Sequence, residues 1–250
     1  MAARHIRFAA LTLVAAIASA PCHALVGESE TNGPMTPHAV MVLARSKGRA
    51  GFCTGVVMAR DAVLTAAHCV AGLKDTGVYF KQADTPVFLQ PAAIAIHPQY
   101  RAQAPRTRER SIDLALIRTT APLPLTFNPA ALNAADAISV GKLYGVSGFG
   151  VTREGEGATA GVLRWGRLRA RAPLSSILLW AEDPAAQGFG ACEGDSGGPI
   201  FDLDAGTIVA ITSWSEGAGA QHCGKLTQAA LLAPQRAWIE SVLRGWKVFR

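Results

Sequence analysis

A serine flanked by glycines stands near the end of the chain, in the segment GDSGGP at residues 194–199. Glycine allows a tight turn that a side chain would obstruct, so the turn can present the Ser196 hydroxyl to a substrate. A hydroxyl is a weak nucleophile and needs a base within hydrogen-bond reach, which is itself oriented by a third group. Nucleophilic catalysis at Ser196 therefore requires a histidine and an acid elsewhere in the chain.

The first half of the sequence contains both groups. His68 lies in the segment TAAHC at residues 65–69, directly after an apolar run that predicts a strand. Asp113 is a lone acid in the strand-like run SIDLALI at residues 111–117, and a buried carboxylate is costly unless it is paired. Each residue alone has an ordinary explanation, as a core histidine, a strand-end acid or a turn serine. Their combination, in the order His, Asp, Ser, favours a catalytic triad.

These three segments resemble the signature segments of the chymotrypsin/trypsin family of serine peptidases, and the resemblance extends from about residue 25 to residue 246. It implies that Ser196 attacks the scissile carbonyl, that His68 takes the proton and returns it to the leaving amine, and that Asp113 fixes the imidazole tautomer. The roles of the triad are usually illustrated on this family. The resemblance also implies an oxyanion hole formed by the backbone N–H groups of Gly194 and Ser196.

The serine segment also matches the G-x-S-x-G nucleophile elbow of α/β-hydrolases. In that fold the acid and the histidine follow the serine, and a helix starts directly after the turn. Here only Asp202, Asp204 and His222 follow closely, and Pro199 opposes a helix at that point. The elbow would also leave the histidine and the aspartate of the first half without a role.

The rest of the sequence predicts an all-β protein. The chain contains 25 glycines and 14 prolines, which separate short apolar runs at residues 39–44, 55–58, 78–80, 93–96, 143–146 and 207–212. The family resemblance implies two antiparallel six-stranded β-barrels of the chymotrypsin-like fold with a C-terminal α-helix. A helix is predicted from about Pro234 to Leu243, with an apolar face formed by Trp238, Ile239, Val242 and Leu243.

The composition of the sequence predicts the boundaries of the two barrels. Residues 121–136 are rich in proline and alanine and are predicted to link the first barrel, residues 25–120, to the second, residues 137–250. His68 and Asp113 would then come from the first barrel and Ser196 from the second.

An export signal is predicted over residues 1–24. Two early arginines precede an apolar stretch at residues 8–20, which is too short to span a bilayer and is typical of a signal peptide. One cleavage point would leave Pro21 first, which disfavours cleavage, and the other leaves Leu25 first, which we prefer. We expect a secreted or periplasmic protein that makes no membrane contact after cleavage.

The cysteine count fits an oxidising compartment. Of the five cysteines, Cys22 would leave with the signal, and the remaining four are an even number. The resemblance implies the disulfides Cys53–Cys69 and Cys192–Cys223. Zinc binding is the alternative, but no CxxC spacing occurs. We expect no metal and no other cofactor, and the proline before Cys22 argues against a lipoprotein anchor.

The segment LVGE at residues 25–28 resembles the mature N-terminus of the family, although Glu28 replaces a glycine. The resemblance implies that the new ammonium of Leu25 pairs with Asp195, since a buried carboxylate needs a partner. Cleavage of the signal would then create the active terminus without a separate propeptide.

The resemblance also locates the specificity pocket. Gly190 and Ala191 would form its floor, and because neither is charged, cleavage after Lys or Arg is disfavoured. We expect a modest preference for small to medium aliphatic or aromatic side chains at P1, the substrate residue before the scissile bond.

The segment Ser213-Trp214-Ser215 would pair with the substrate as an added strand, and Ser215 replaces a glycine on the pocket wall. Glu193 and Glu216 are expected at the rim, where they would repel acidic substrates.

The formal net charge is +6 and falls to +4 without the two signal arginines. Arginines cluster at residues 101–110 and 164–171, which indicates either a polyanion-binding patch or solvated loops and strand faces. We expect a monomer with a protein or peptide substrate and no nucleic-acid partner. The predicted function is that of a secreted serine endopeptidase; the alternatives are a catalytically silent homologue that binds protein and an esterase that uses the same triad.

Overall fold

The computed structural model describes residues 25–27, 29–46, 49–107, 109–133 and 138–248. The predicted signal peptide and Glu28 lie outside these residues. The strands are β1 Glu30–Thr31, β2 Ala39–Ser46, β3 Arg49–Ala59, β4 Ala62–Thr65, β5 Lys74–Gln82, β6 Thr85–Leu89, β7 Pro91–Ile96, β8 Ala115–Thr119, β9 Leu143–Gly148, β10 Arg164–Ala170, β11 Leu178–Glu182, β12 Pro199–Asp202, β13 Ile208–Gly217 and β14 Gly224–Leu231. The helices are α1 Ala104–Thr107 and α2 Arg236–Gly245.

The first barrel is an antiparallel sheet in the order β6-β5-β2-β3-β4-β8-β7. Only Gln90 separates β6 from β7, so these two strands are the arms of one bent strand, and the sheet closes as a barrel of six. All four residues of β4 are buried, and Val63, Leu64 and Leu116 are completely inaccessible. This burial explains why the sequence here reads as continuous apolar runs instead of an alternating pattern.

The second barrel closes because β9 pairs with both β12 and β10, which gives the ring β9-β10-β11-β14-β13-β12. The short strand β1 adds to β10 outside this ring. Just before it, Val26 forms an antiparallel bridge with Gly190. The prediction of two six-stranded antiparallel barrels is thus confirmed, and the N-terminal segment packs on the second barrel before the chain enters the first.

The segment between the barrels is packed against both. Leu123 is 1% exposed in the core of the first barrel, and Leu132 forms a bridge with Ile208 of the second. Residues 134–137 lie outside the part of the chain that the structure describes.

The C-terminal helix α2 begins two residues after the predicted start, because Ala233–Gln235 forms a 3-10 turn with proline in its first positions. Ile239 is fully buried, and the Trp238 ring meets the edge of His97 with 4.7 Å between centroids. His97 belongs to the first half of the chain, so the helix ties the end of the second half to the first barrel. No helix within the described residues is long and apolar enough to cross a membrane.

Candidate active site

His68 and Asp113 are joined by two hydrogen bonds at one end of the first barrel. His68 lies on a 3-10 turn directly after β4, and Asp113 lies two residues before β8, the strand that pairs with β4. The His68 ring donates from Nδ1 to Asp113 Oδ2 at 2.7 Å, and the His68 backbone N–H donates to Asp113 Oδ1 at 2.9 Å. The hydroxyl of Ser213 donates to Asp113 Oδ2 as well. This arrangement leaves His68 Nε2 available to act as an acceptor.

The electrostatics favour an ionised carboxylate beside a basic imidazole. Burial of Asp113 opposes its charge, but the hydrogen bonds and charge of His68, with the Ser213 hydroxyl, hold the pKa of Asp113 below its ordinary value. Burial also opposes protonation of His68, and the Asp113 carboxylate outweighs it and raises the pKa of His68. The His68 side chain is 39% exposed, so it is accessible from the surface.

The turn that carries Ser196 requires glycine at several positions. Gly194 and Gly197 have positive φ angles of 95° and 83°. A Cβ at Gly197 would lie 2.1 Å from the Thr54 carbonyl oxygen, and one at Gly194 would lie 2.0 Å from the Phe52 ring. Both obstacles belong to β3 of the first barrel, so the glycines permit the close approach of the nucleophile turn to the opposite barrel.

Ser196 and His68 both lie beside the Cys69 sulfur. Cys69 Sγ lies 3.7 Å from His68 Nε2 and 3.8 Å from the Ser196 carbonyl oxygen. Within the described residues, no hydrogen bond joins the Ser196 hydroxyl to His68. The backbone N–H groups of Gly194 and Ser196 donate to no other described residue, which leaves both available to an external acceptor.

Thr54 holds the nucleophile turn in place, a function that the sequence did not predict. Its hydroxyl donates to the Gly194 carbonyl at 2.9 Å and accepts from the Phe149 N–H at 3.0 Å, while its own N–H donates to the Ser196 carbonyl at 2.8 Å. Thr54 is completely buried. Its only sequence signal is its position beside Cys53, because a threonine in a strand is otherwise unremarkable.

Asp195 is a fully buried carboxylate on the same turn. Its oxygens accept from the Gly150 N–H at 2.8 Å and from the Cys192 N–H at 2.9 Å. Burial dominates these two bonds and raises the pKa of Asp195 to about 7. Leu25 is also fully buried, and the neighbouring Val26 packs against the cluster that contains Cys192. The predicted partner of Asp195 therefore lies on a segment that packs beside the nucleophile turn.

Two disulfides frame the site. Cys53 is joined to Cys69, with 6.1 Å between Cα atoms, and Cys192 to Cys223, with 5.0 Å. This is the pairing that the resemblance implied. Cys53, His68 and Cys69 place their potential metal ligands within 4.8 Å of one another, but both sulfurs are in the disulfide and cannot bind a metal as thiolates.

Gly190 and Ala191 lie directly before Cys192 and the turn that carries Ser196. Both are buried, and the Ala191 N–H donates to Thr227 Oγ1 at 3.0 Å. A Cβ at Gly190 would lie 3.1 Å from the Cα of Gly224 and 3.3 Å from Thr227 Oγ1. Gly224 and Thr227 of β14 therefore close the floor of this region.

The segment 213–215 presents a free strand edge. On the side of β12, the pairing of β13 stops at Thr212, which bonds to Gly197 and Gly198. No described strand pairs with residues 213–217 on that side. Ser213 faces Asp113, whereas Trp214 is 47% exposed. Ser215 donates to the carbonyl oxygen of His222.

The predicted rim residues lie at the surface. Glu193 is exposed, and its carbonyl accepts from the Val151 N–H at 2.9 Å. Glu216 is paired with Lys225 at 3.0 Å, which reduces its repulsion of acidic groups. Sequence reasoning also missed Glu154, which accepts from the ring and the backbone N–H of His222 and so joins two surface loops. These bonds hold the pKa of Glu154 below its ordinary value.

A protein-family model described as Trypsin matches residues 25–239. Among solved structures, the chain is similar to neuropsin, a serine protease expressed in the limbic system of mouse brain, with a TM-score of 0.69, 23% identity and coverage of 86% of this chain and 99% of that one. A structure described as GrC has a TM-score of 0.70 and 21% identity, with coverage of 86% of this chain and 98% of that one. The inactivated protease paralogue S-I1 of the scabies mite has a TM-score of 0.69 and 20% identity, with coverage of 88% of this chain and 100% of that one. These structures share the chymotrypsin-like fold, and the family match covers most of the chain: the chain belongs to the trypsin family of serine proteases.

Proposed function

We propose that the protein is a secreted serine endopeptidase that acts through an acyl-enzyme intermediate. Ser196 Oγ bonds to the scissile carbonyl carbon while its proton passes to His68 Nε2, and the leaving amine then takes that proton. Water attacks the resulting ester with His68 again as base, which releases the acid and restores the Ser196 hydroxyl. The observation that carries this proposal is the 2.7 Å hydrogen bond from His68 to Asp113, which leaves Nε2 as the free ring nitrogen beside the Ser196 turn.

The free N–H groups of Gly194 and Ser196 support an oxyanion hole. Both would donate to the oxygen that becomes negative in the tetrahedral intermediate, and a donor of this kind is worth about 3–4 kcal/mol in the transition state. The turn is held from the first barrel by Thr54, so the hole depends on the contact between the barrels.

Export would activate the enzyme. Cleavage after residue 24 would free the Leu25 ammonium, and the buried Asp195 carboxylate supplies the matching charge. The two disulfides support an oxidising, secreted or periplasmic location. We propose the domain boundaries given by composition, with the first barrel over residues 25–120 and the second over 137–250, except that residues 25–27 and β1 pack on the second barrel.

The pocket supports cleavage after small or medium apolar side chains. Gly190 brings no charge to the floor, which argues against Lys or Arg at P1. The approach of Gly224 and Thr227 to Gly190 reduces the depth of the pocket that is available to the P1 side chain of the substrate. Ser215, in place of a glycine, narrows the wall further.

Cleavage-site profiling of the protein that begins at Leu25, with a peptide library, tests activity and specificity together. We expect cleavage after Ala, Val, Leu or Phe, and a profile dominated by Arg or Lys would overturn the P1 preference. Labelling by an organophosphonate, lost in Ser196→Ala, tests the nucleophile.

The second candidate is a catalytically silent binding homologue. The observation that favours it is the missing hydrogen bond between the Ser196 hydroxyl and His68, and one similar structure is described as an inactivated paralogue. An intact protein that binds peptides but neither cleaves them nor reacts with the organophosphonate would establish this candidate. Turnover of carboxylic esters with no cleavage of peptides would instead establish the esterase.

A further inference from the structure

The arginine cluster at residues 164–171 forms a charged stripe on the outside of the second barrel. Along β10, Leu168 and Ala170 are buried, so the intervening arginines point outward. Arg169 and Arg171 both bond to the Glu182 carboxylate, at 3.7 Å and 3.1 Å. A single carboxylate thus serves two guanidinium groups, which leaves an excess of positive charge at this end of the stripe.

Two adjoining cavities connect this stripe to the proposed substrate-binding strand. One, of about 360 Å³, is lined by Trp214, Trp180 and Leu226 and ends at Arg171 and Lys225. The other, of about 310 Å³, begins at the same two basic residues and continues to Arg169. A groove therefore runs from the exposed face of Trp214 to the arginines.

The direction of a bound peptide follows from the sheet. Every pairing between the named strands of the second barrel is antiparallel, so we expect a peptide added to residues 213–217 to be antiparallel as well. Its carboxyl end would then lie near Ser213, beside Asp113, and its amino end near Gly217. Upstream residues of the substrate would leave the strand edge at the groove that leads to Arg171.

The charges along the groove favour an acidic segment. Asp183 also lines the second cavity, but its oxygens accept from the backbone N–H groups of residues 185, 187 and 189, which compensate its charge within its own loop. The Glu216 carboxylate forms an ion pair with Lys225, so these two charges balance. Arg169 and Arg171 share the single carboxylate of Glu182, so one positive charge is in excess along the path.

We propose that this groove is an extended subsite that recognises acidic side chains upstream of the scissile bond, at about five to seven residues before it, because the strand edge of residues 213–217 accommodates the nearer residues at about 3.3 Å per residue. Arg169, Arg171 and Lys225 bind the carboxylates, and their present partners Glu182 and Glu216 compete with the substrate. The subsite rests on the proposed function for its orientation. Of the two predicted rim acids, Glu193 lines neither cavity, whereas Glu216 lines the first cavity and is paired there with Lys225.

Three quenched fluorescent peptides with the same apolar cleavage segment test the subsite. They carry three alanines, three aspartates or three lysines at five to seven residues upstream of the cut. The aspartate peptide should exceed the alanine peptide in kcat/KM by about threefold to tenfold, the range expected for a few exposed charge pairs. The advantage should vanish as salt rises from about 0.01 M to about 1 M, where the screening length falls from about 30 Å to about 3 Å.

Two variants shift the preference in opposite directions. Arg171→Gln combined with Lys225→Gln should bring the aspartate-to-alanine ratio close to one, whereas Glu182→Gln should increase it because the competing carboxylate is gone. Arg244→Gln is the matched control, since Arg244 is an exposed arginine with a glutamate partner on α2 and should leave the ratio unchanged. Thermal unfolding verifies that all three proteins are folded.

Equal turnover of the aspartate and lysine peptides would overturn the subsite, as would an acidic preference that survives in the double variant. Absence of cleavage of the alanine peptide contradicts the proposed function instead. In that case, fluorescence anisotropy of the same peptides made without the quencher, measured with Ser196→Ala, still decides the subsite: tighter binding of the aspartate peptide supports it, and equal binding refutes it.

Discussion

The form of the N-terminus should change how stability depends on pH, because Asp195 is buried without a described cation. Its pKa is about 7 in the fold, against an ordinary value of 3.8. That difference corresponds to about 4 kcal/mol between the two protonation states. The perturbation is a comparison of two secreted forms, one that begins at Leu25 and one that begins at Pro21.

The sign follows from linkage. Below pH 3.8 the carboxyl is protonated in both the folded and the unfolded states, and burial costs no ionisation energy. As the pH rises from about 4 to 7, the unfolded chain ionises while folded Asp195 remains protonated, so the free energy of unfolding falls. In the Leu25 form the new ammonium stabilises the carboxylate and removes this loss. Between pH 5 and pH 8, the Pro21 form should therefore lose about 3 kcal/mol more than the Leu25 form.

Urea unfolding of both forms at pH 5 and pH 8 measures this difference, with Ser196→Ala in both to prevent self-cleavage. The raised pKa of His68 gives stability that is present at low pH and is lost as the pH rises through that pKa, but this contribution is common to the two forms and cancels. Asp195→Asn is the matched control, because it removes the titrating group and should give both forms the same pH dependence.

Equal pH dependence of the two forms with Asp195 intact would refute the ion pair. A second readout uses the active protein: the Leu25 form should react with an organophosphonate faster than the Pro21 form, since the pair orders the turn that carries the nucleophile. Equal labelling rates together with a pH-dependent difference in stability would show that the ion pair stabilises the fold without activating the site.

Three further perturbations test the site. Asp113→Asn should lower the pKa of His68 and reduce kcat by about 10⁴-fold, the magnitude known for this family, and a pH–rate profile measures both; an unchanged acid limb would contradict the pairing. Thr54→Val leaves the Gly194 carbonyl without its hydroxyl donor, which should lower the free energy of unfolding in urea by about 1–3 kcal/mol. Peptide cleavage should fall even under conditions where the variant is fully folded, and full activity would refute the positioning role of Thr54. Gly148→Ala places a methyl 2.1 Å from the buried Asp195 carboxylate oxygen, so peptide cleavage should fall far more than in Gly157→Ala, where a methyl meets open space and the backbone conformation suits alanine.

The sequence predicted the elements whose signals are local. Continuous apolar runs gave the central strands, because β4 and its partners are buried on both faces. The order of His68, Asp113 and Ser196 with their flanking residues led to the family and hence to the two barrels. For the arginines at residues 164–171 the sequence left a binding patch, loops and strand faces open, and the structure places them on β10 and the residue after it.

Features that depend on contacts between distant segments could not be predicted. Thr54 holds a turn 140 residues away in sequence, and nothing about a buried threonine marks that role. The floor of the pocket is set by the approach of Gly224 to Gly190, a backbone contact without a side-chain signature. The placement of β1 on the second barrel was also hidden, since a strand of two residues has no periodicity.

Under the proposed function, the contact between the barrels determines both the catalytic geometry and the way in which activity would be lost. The nucleophile turn belongs to the second barrel, yet its glycines pack on Phe52 and Thr54 of the first, and Asp113 of the first accepts from Ser213 of the second. Each barrel has its own closed ring of hydrogen bonds, so a small displacement between them would break these few contacts and leave both barrels folded. Loss of activity should therefore precede loss of secondary structure under mild denaturation, and the residues that control it are the buried polar groups at the contact.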